Sequence, residues 1–99
     1  LLESGKCLTE RDLALLAALG MDHVTVRQPP RVAILATGDE LRKAGDVLAP
    51  GEIYESNALM TELMLRRMGC TAVALPPCPD DLDRIEAAVT AGLQCDALI

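Results

Sequence analysis

The chain has 99 residues, one domain's worth at most, and a net charge of −6. Half of it is hydrophobic, yet it holds one Tyr and neither Phe nor Trp, so its core must be aliphatic. Charge and composition together argue against a nucleic-acid partner, which calls for a basic patch or for aromatic rings that stack on bases. No apolar run approaches the roughly 18 residues a membrane span needs.

In chain order, the first signal is Thr9-Glu10-Arg11-Asp12, a helix start with Thr9 as N-cap and acids in the first turn. Leu13, Leu16 and Ala17 repeat at helical spacing, and Gly20 is placed to stop the helix. HVTV, residues 23–26, has the pattern of a short strand. Pro29-Pro30 interrupts what precedes it and marks a boundary. The expected organisation is therefore the tail of a preceding domain over 1–28 and the N-terminal part of an α/β domain over 29–99. The opening LLESG and the closing apolar CDALI both read as cuts from a longer chain.

Past the prolines the pattern changes. Val32 to Ala36 is a continuous apolar run, as a strand covered on both faces requires. Ser56 or Asn57 caps a helix that runs through Met68, with Leu59, Met60, Leu63, Met64 and Met68 on its apolar, core-facing side, and Gly69 ends it. Thr71 to Leu75 reads as a second strand. Asp80 then caps a third helix in which Leu82, Ile85, Ala88 and Val89 share a face; Gly92 ends it, and Ala97 to Ile99 opens a third strand. This β-α-β-α-β order predicts an α/β fold with three αβα layers and a mostly parallel sheet, truncated at its far side.

One connection stands out. Nineteen residues, Thr37 to Glu55, separate the first strand from its helix, where such connections usually run about 2 to 6. Open parallel sheets bind ligands beyond the carboxyl ends of their strands. Both this loop and the loop Pro76 to Asp80 leave strands at that edge, so the acids of ATGDEL (Asp39, Glu40) and of PDD (Asp80, Asp81) are expected at one crevice. Taken alone, these acids have two readings, as a site rim or as solvated loop charge, a helix cap in the case of Asp80. The four cysteines, Cys7, Cys70, Cys78 and Cys95, lack zinc-ligand spacing and are read as buried reduced thiols of a cytoplasmic protein. Tyr54 is expected to pack its ring with the hydroxyl in water, and Arg42-Lys43 and Arg66-Arg67 to be solvated charge.

ATGDEL followed by PGEIYESN, ELMLRRMGC and PDDLDRIEAA resembles the molybdopterin-binding domain of MoeA-type molybdopterin molybdenumtransferases, the family that includes the gephyrin E domain. The upstream GKCLTERDLALLAALGMDHVTV resembles the segment that leads into that domain, so the likeness covers nearly the whole chain. The resemblance implies insertion of molybdate into adenylylated molybdopterin with release of AMP, assisted by a divalent cation such as Mg²⁺, in a homodimer. It places the catalytic acids and the Mg²⁺ ligands at Glu40 and Asp80, with Gly38, Asp39, Ser56, Asn57 and Asp81 as candidate substrate contacts. The sequence departs from the family pattern at Glu55, where Asp is common, and at Pro76-Pro77-Cys78-Pro79, a stiffer approach to Asp80. A molybdopterin adenylyltransferase, a CinA-type nucleotide-processing domain and a noncatalytic gephyrin-like scaffold share parts of this pattern, although LTERDLALLAALG argues against the first two.

Overall fold

A computed structural model describes residues 2–99. Along the chain lie α1 (Glu10–Ala18), β1 (Arg31–Ile34), β2 (Leu41–Arg42), β3 (Ile53–Tyr54), α2 (Asn57–Arg67), β4 (Thr71–Ala74), α3 (Leu82–Gly92) and β5 (Ala97–Leu98). β1 is the centre of a parallel sheet of order β4-β1-β5, with Val32 opposite both Ala72 and Ala97. β2 and β3 form a separate parallel pair inside the long connection.

The period-two alternation of β1 sorts its side chains between two helices. Val32 and Ile34 meet Leu65 of α2, with Ala58, Cys70 and Ala72 packed around them. Ala33 turns to the opposite face, where Gly92 of α3 lies against it and Leu98. This close approach, not a positive φ, is the reason for glycine at position 92: an added β-carbon would lie 2.7 Å from Leu98 Cδ1. With α2 on β1 and β4, and α3 on β1 and β5, the molecule has the three layers the sequence predicts. Burying Val32 and Ile34 stabilises this arrangement by about 1.5–3 kcal/mol each.

The inward face of α2 differs from the expected one. Leu65 is buried and Ala58 and Thr61 are partly covered, whereas Leu59, Met60, Leu63, Met64 and Met68 are each more than half exposed. The helix is apolar around most of its circumference, so periodicity does not select a side. The small Ala58 and the branched Leu65, seven residues on, fit the flat surface of β1 and β4, and the methionine stripe faces away.

HVTV forms no strand among the described residues, and Val24 and Val26 are exposed. A strand needs a partner's backbone groups, and Pro29-Pro30 closes this segment before any open edge comes within reach. α1 keeps its expected start in full. Thr9 Oγ1 accepts the Asp12 N–H, Asp12 Oδ2 accepts the Thr9 N–H, and Lys6 Nζ donates to Asp12 Oδ1 at 2.6 Å. Those bonds hold the buried Asp12 carboxyl well below its usual range, at about 2, with the Lys6 bond the largest cause. Gly20 follows the helix at φ +76, the left-handed stop expected there. Among the described residues α1 touches no other helix or strand, and the molecule is drawn out to 63 × 27 × 17 Å.

Candidate functional site at the carboxyl edge of the sheet

The ATGDEL turn is an extension of β1 that stays stitched to the chain leaving β4. The Leu75 N–H donates to Ile34, the Cys78 N–H to Ala36 and the Gly38 N–H to Cys78, at 2.9, 2.9 and 3.1 Å. Pro76 and Pro77, lacking N–H groups, cannot continue the ladder, and the chain bulges by one residue: Ile34 faces Ala74, but Thr37 faces Cys78. Cys78 is buried by this pairing. The last rung is made by a side chain: the Asp80 N–H donates to Asp39 Oδ1 at 3.0 Å. The two acidic turns therefore meet at this edge, but their four acids do not share the one crevice expected: of them only Glu40 borders the larger cleft and only Asp39 the smaller hollow.

Neighbouring acids in the turn diverge. Asp39 lies beside a small hollow bounded by Gly38, Arg42 and Pro77 to Pro79. Glu40 instead borders a larger cleft of about 400 Å³. Its carboxylate folds back over Gly38, whose φ of +148 is open to glycine and whose missing β-carbon leaves the room. Ala36 and Thr37 at the end of β1, Ile99 beyond β5, and Ser56 and Asn57 at the start of α2 complete the rim of that cleft. It has the position, beyond strand carboxyl ends and at a helix N-terminus, where anionic ligands bind in open α/β sheets.

The nineteen-residue connection is built, not slack. Ala49-Pro50-Gly51-Glu52 turns with the Glu52 N–H on Ala49 O and Gly51 at φ +87, the pattern of a type II turn. Glu52 accepts the Ala49 N–H through Oε2 and the Arg42 guanidinium through Oε1, across the β2–β3 pair. Arg42 also donates to the carbonyls of Asp39 and Leu41, so it is a structural tie and not solvated charge. The Tyr54 hydroxyl donates to Asp46 O in a bond at the exposed surface. Arg66 likewise has a partner, Glu62, one turn back.

Two capping assignments change. Asp81, not Asp80, is the N-cap of α3, and its carboxylate accepts the Arg84 N–H at 2.9 Å. Asp80 is left exposed, held through its backbone by Asp39. Adjacent acids look equivalent in sequence; because α3 begins at Leu82, Asp81 takes the cap, and Asp80 lies one residue outside it with its amide on Asp39. Ser56 occupies the N-cap position of α2 without a side-chain capping bond, and Glu55 Oε1 accepts the Ala58 N–H at 2.6 Å instead. Ser56 and Asn57 remain exposed at the cleft.

The structure thus gathers Glu40, Ser56 and Asn57 around one cleft and joins Asp39 to Asp80 beside it, while Asp81 serves α3. Glu52 escaped the sequence reading and Glu55 figured there only as a departure from the family pattern, although PGE after a long loop and an acid just before a helix are both turn and cap signals. Among the described residues, no three His, Cys, Asp or Glu side chains are grouped to hold a metal ion by themselves. Of the thiols, Cys78 is buried, Cys70 and Cys95 are half-buried and Cys7 is exposed, and all four are free of disulfides. No helix among the described residues is long and apolar enough to cross a membrane.

The family described as "Probable molybdopterin binding domain" matches residues 33–99. A Haemophilus influenzae protein named molybdopterin molybdenumtransferase is 37% identical over 99% of this chain and 24% of its own length. A Bacillus subtilis protein of the same name is 42% identical over 90% of this chain and 21% of its own length. Among solved structures, a molybdopterin biosynthesis MoeA protein from Pyrococcus horikoshii superposes with a TM-score of 0.85 and 28% identity, covering 97% of this chain and 25% of that one. The chain spans about a quarter of the length of these relatives. From residue 33 onward, with β1 and the TGDEL turn at its head, the chain belongs to the molybdopterin-binding domain family.

Proposed function

We propose that this chain forms part of the cleft of a molybdopterin molybdenumtransferase, which inserts molybdate into adenylylated molybdopterin and releases AMP. The observation that carries this reading is the meeting of the ATGDEL turn with the Asp80 turn beside a cleft at the N-terminus of α2. It occurs in a chain similar along nearly its whole length to proteins of that name.

In this reading Glu40 and Asp80 are the acting acids, and Ser56 and Asn57 contact the phosphate-bearing end of the substrate. The N-terminus of α2 contributes partial positive charge there. Mg²⁺ fits the donors present only in its commonest mode, through one or two carboxylates plus substrate phosphates, because no protein-only cage exists among the described residues. Glu40 or Asp80 would hold it, and it would neutralise charge that builds on the phosphoanhydride as AMP departs. The chain's own residues orient the substrate: Glu40 from the turn, Ser56 and Asn57 from the helix start. The same reading makes the protein a cytoplasmic homodimer, supported by its unpaired thiols and by the uncovered apolar face of α2. It also takes Pro29-Pro30 as the junction with a preceding domain.

Glu40→Gln in the full-length protein tests the proposal. Folding should be unchanged and molybdenum insertion sharply reduced; undiminished insertion would remove Glu40 from the chemistry.

A further inference from the structure

We propose that Asp39 is a positioning residue that acts through Asp80, holding the Asp80 turn in place by the bond from the Asp80 N–H to Asp39 Oδ1. This rests on the reading of Asp80 as an acting acid. Three observations point to it. The bond spans 41 positions of chain and joins the two turns at their tips. The ladder that would otherwise align those turns is interrupted at Pro76-Pro77, leaving the Cys78 rungs and the Asp39 bond as the ties beyond Leu75. The backbone of Asp39 is itself fixed, since Arg42 Nη1 donates to its carbonyl at 3.0 Å while Glu52 holds the other end of the same guanidinium. A connected chain therefore runs Glu52–Arg42–Asp39–Asp80, from the long connection to the second acidic turn. Asp39 borders the smaller hollow and not the cleft that Glu40 borders. Its carboxylate is engaged by a backbone amide, and that task requires an acceptor oxygen but no charge.

Asparagine keeps that oxygen and alanine removes it. In the full-length protein, Asp39→Ala should speed hydrogen exchange of the peptide covering residues 78–82 by at least tenfold, and Asp39→Asn should leave it near the parent rate. The same alanine variant should lower kcat for molybdenum insertion by roughly ten- to a hundredfold, the scale of a misplaced reacting group, with KM little changed; asparagine should restore most of it. Should the alanine variant not fold, Asp39→Ser, whose hydroxyl stops one bond short, takes its place. Unchanged exchange in the alanine variant would overturn the proposal. So would an asparagine variant as inactive as alanine with the peptide still protected, because charge at Asp39 would then act directly. Glu40→Gln is the separate control: if it retains full activity, the functional reading fails, while the exchange data still decide the tie.

Discussion

A β-carbon added to Gly38 would lie 2.8 Å from Oε2 of Glu40. The glycine and the acid two residues on are thus one device, in which a missing side chain makes the space that a carboxylate fills. Gly38→Ala should cost about 1–3 kcal/mol from the positive φ alone and push Glu40 off its place. In denaturant unfolding the variant should be measurably weaker, and molybdenum insertion by the full-length protein should fall toward that of Glu40→Gln. A variant as stable and active as the parent would show that Glu40 does not depend on this fold-back.

Asp80 and Asp81 separate by their effects on stability. Asp81→Ala removes the α3 cap and should cost about 1 kcal/mol, and Asp81→Asn much less. Asp80→Ala should leave stability nearly unchanged, because only its backbone is bonded. Equilibrium unfolding of the two alanine variants decides the matter; the reverse order would return the cap to Asp80.

At the start of α2 the expected order is also opposite to the one the sequence suggests. Glu55→Ala should lose about 1 kcal/mol, as loss of a capping bond does, whereas Ser56→Ala should lose a few tenths at most. With the fold undisturbed, any loss of substrate affinity in Ser56→Ala, read by calorimetric titration, reports a contact at the cleft. Equal stability losses would mean that serine also caps.

Asp12 should make the start of α1 sensitive to acid. Its folded carboxyl titrates at about 2 against an ordinary 3.8, so the folded state binds fewer protons in that interval. The contribution is complete above 3.8 and disappears as pH falls toward 2. NMR titration of the Asp12 carboxyl should show this depressed value, and Lys6→Met, which removes the largest cause, should move it back up. An unaltered titration in that variant would leave Lys6 without a role.

The layered sheet was legible because Val32 to Ala36, Thr71 to Leu75 and Gly69 each carry a local signal, and local signals agree here with the tertiary arrangement. The meeting of the two acidic turns followed from topology alone, since parallel strands deliver their loops to one edge. What stayed hidden depends on contacts across the chain. Asp80 and Asp81 are told apart only by where α3 begins and by the amide that Asp39, forty-one positions away, accepts. The buried side of α2 is chosen by the surface of β1 and β4, because apolar residues are spread around most of the helix and their periodicity selects no side. HVTV has strand composition but no neighbour to pair with.

The bulge at Pro76-Pro77 makes loop length carry information. Three steps along the first strand, from Ile34 to Thr37, are matched by four along its neighbour, from Ala74 to Cys78. The extra residue lets the chain step past two positions that cannot donate and still return Cys78, and after it Asp80, to bonds with the first turn. A version one proline shorter would retain every acid yet lose the spacing that brings the Asp80 amide to Asp39, so length is specified here along with chemistry.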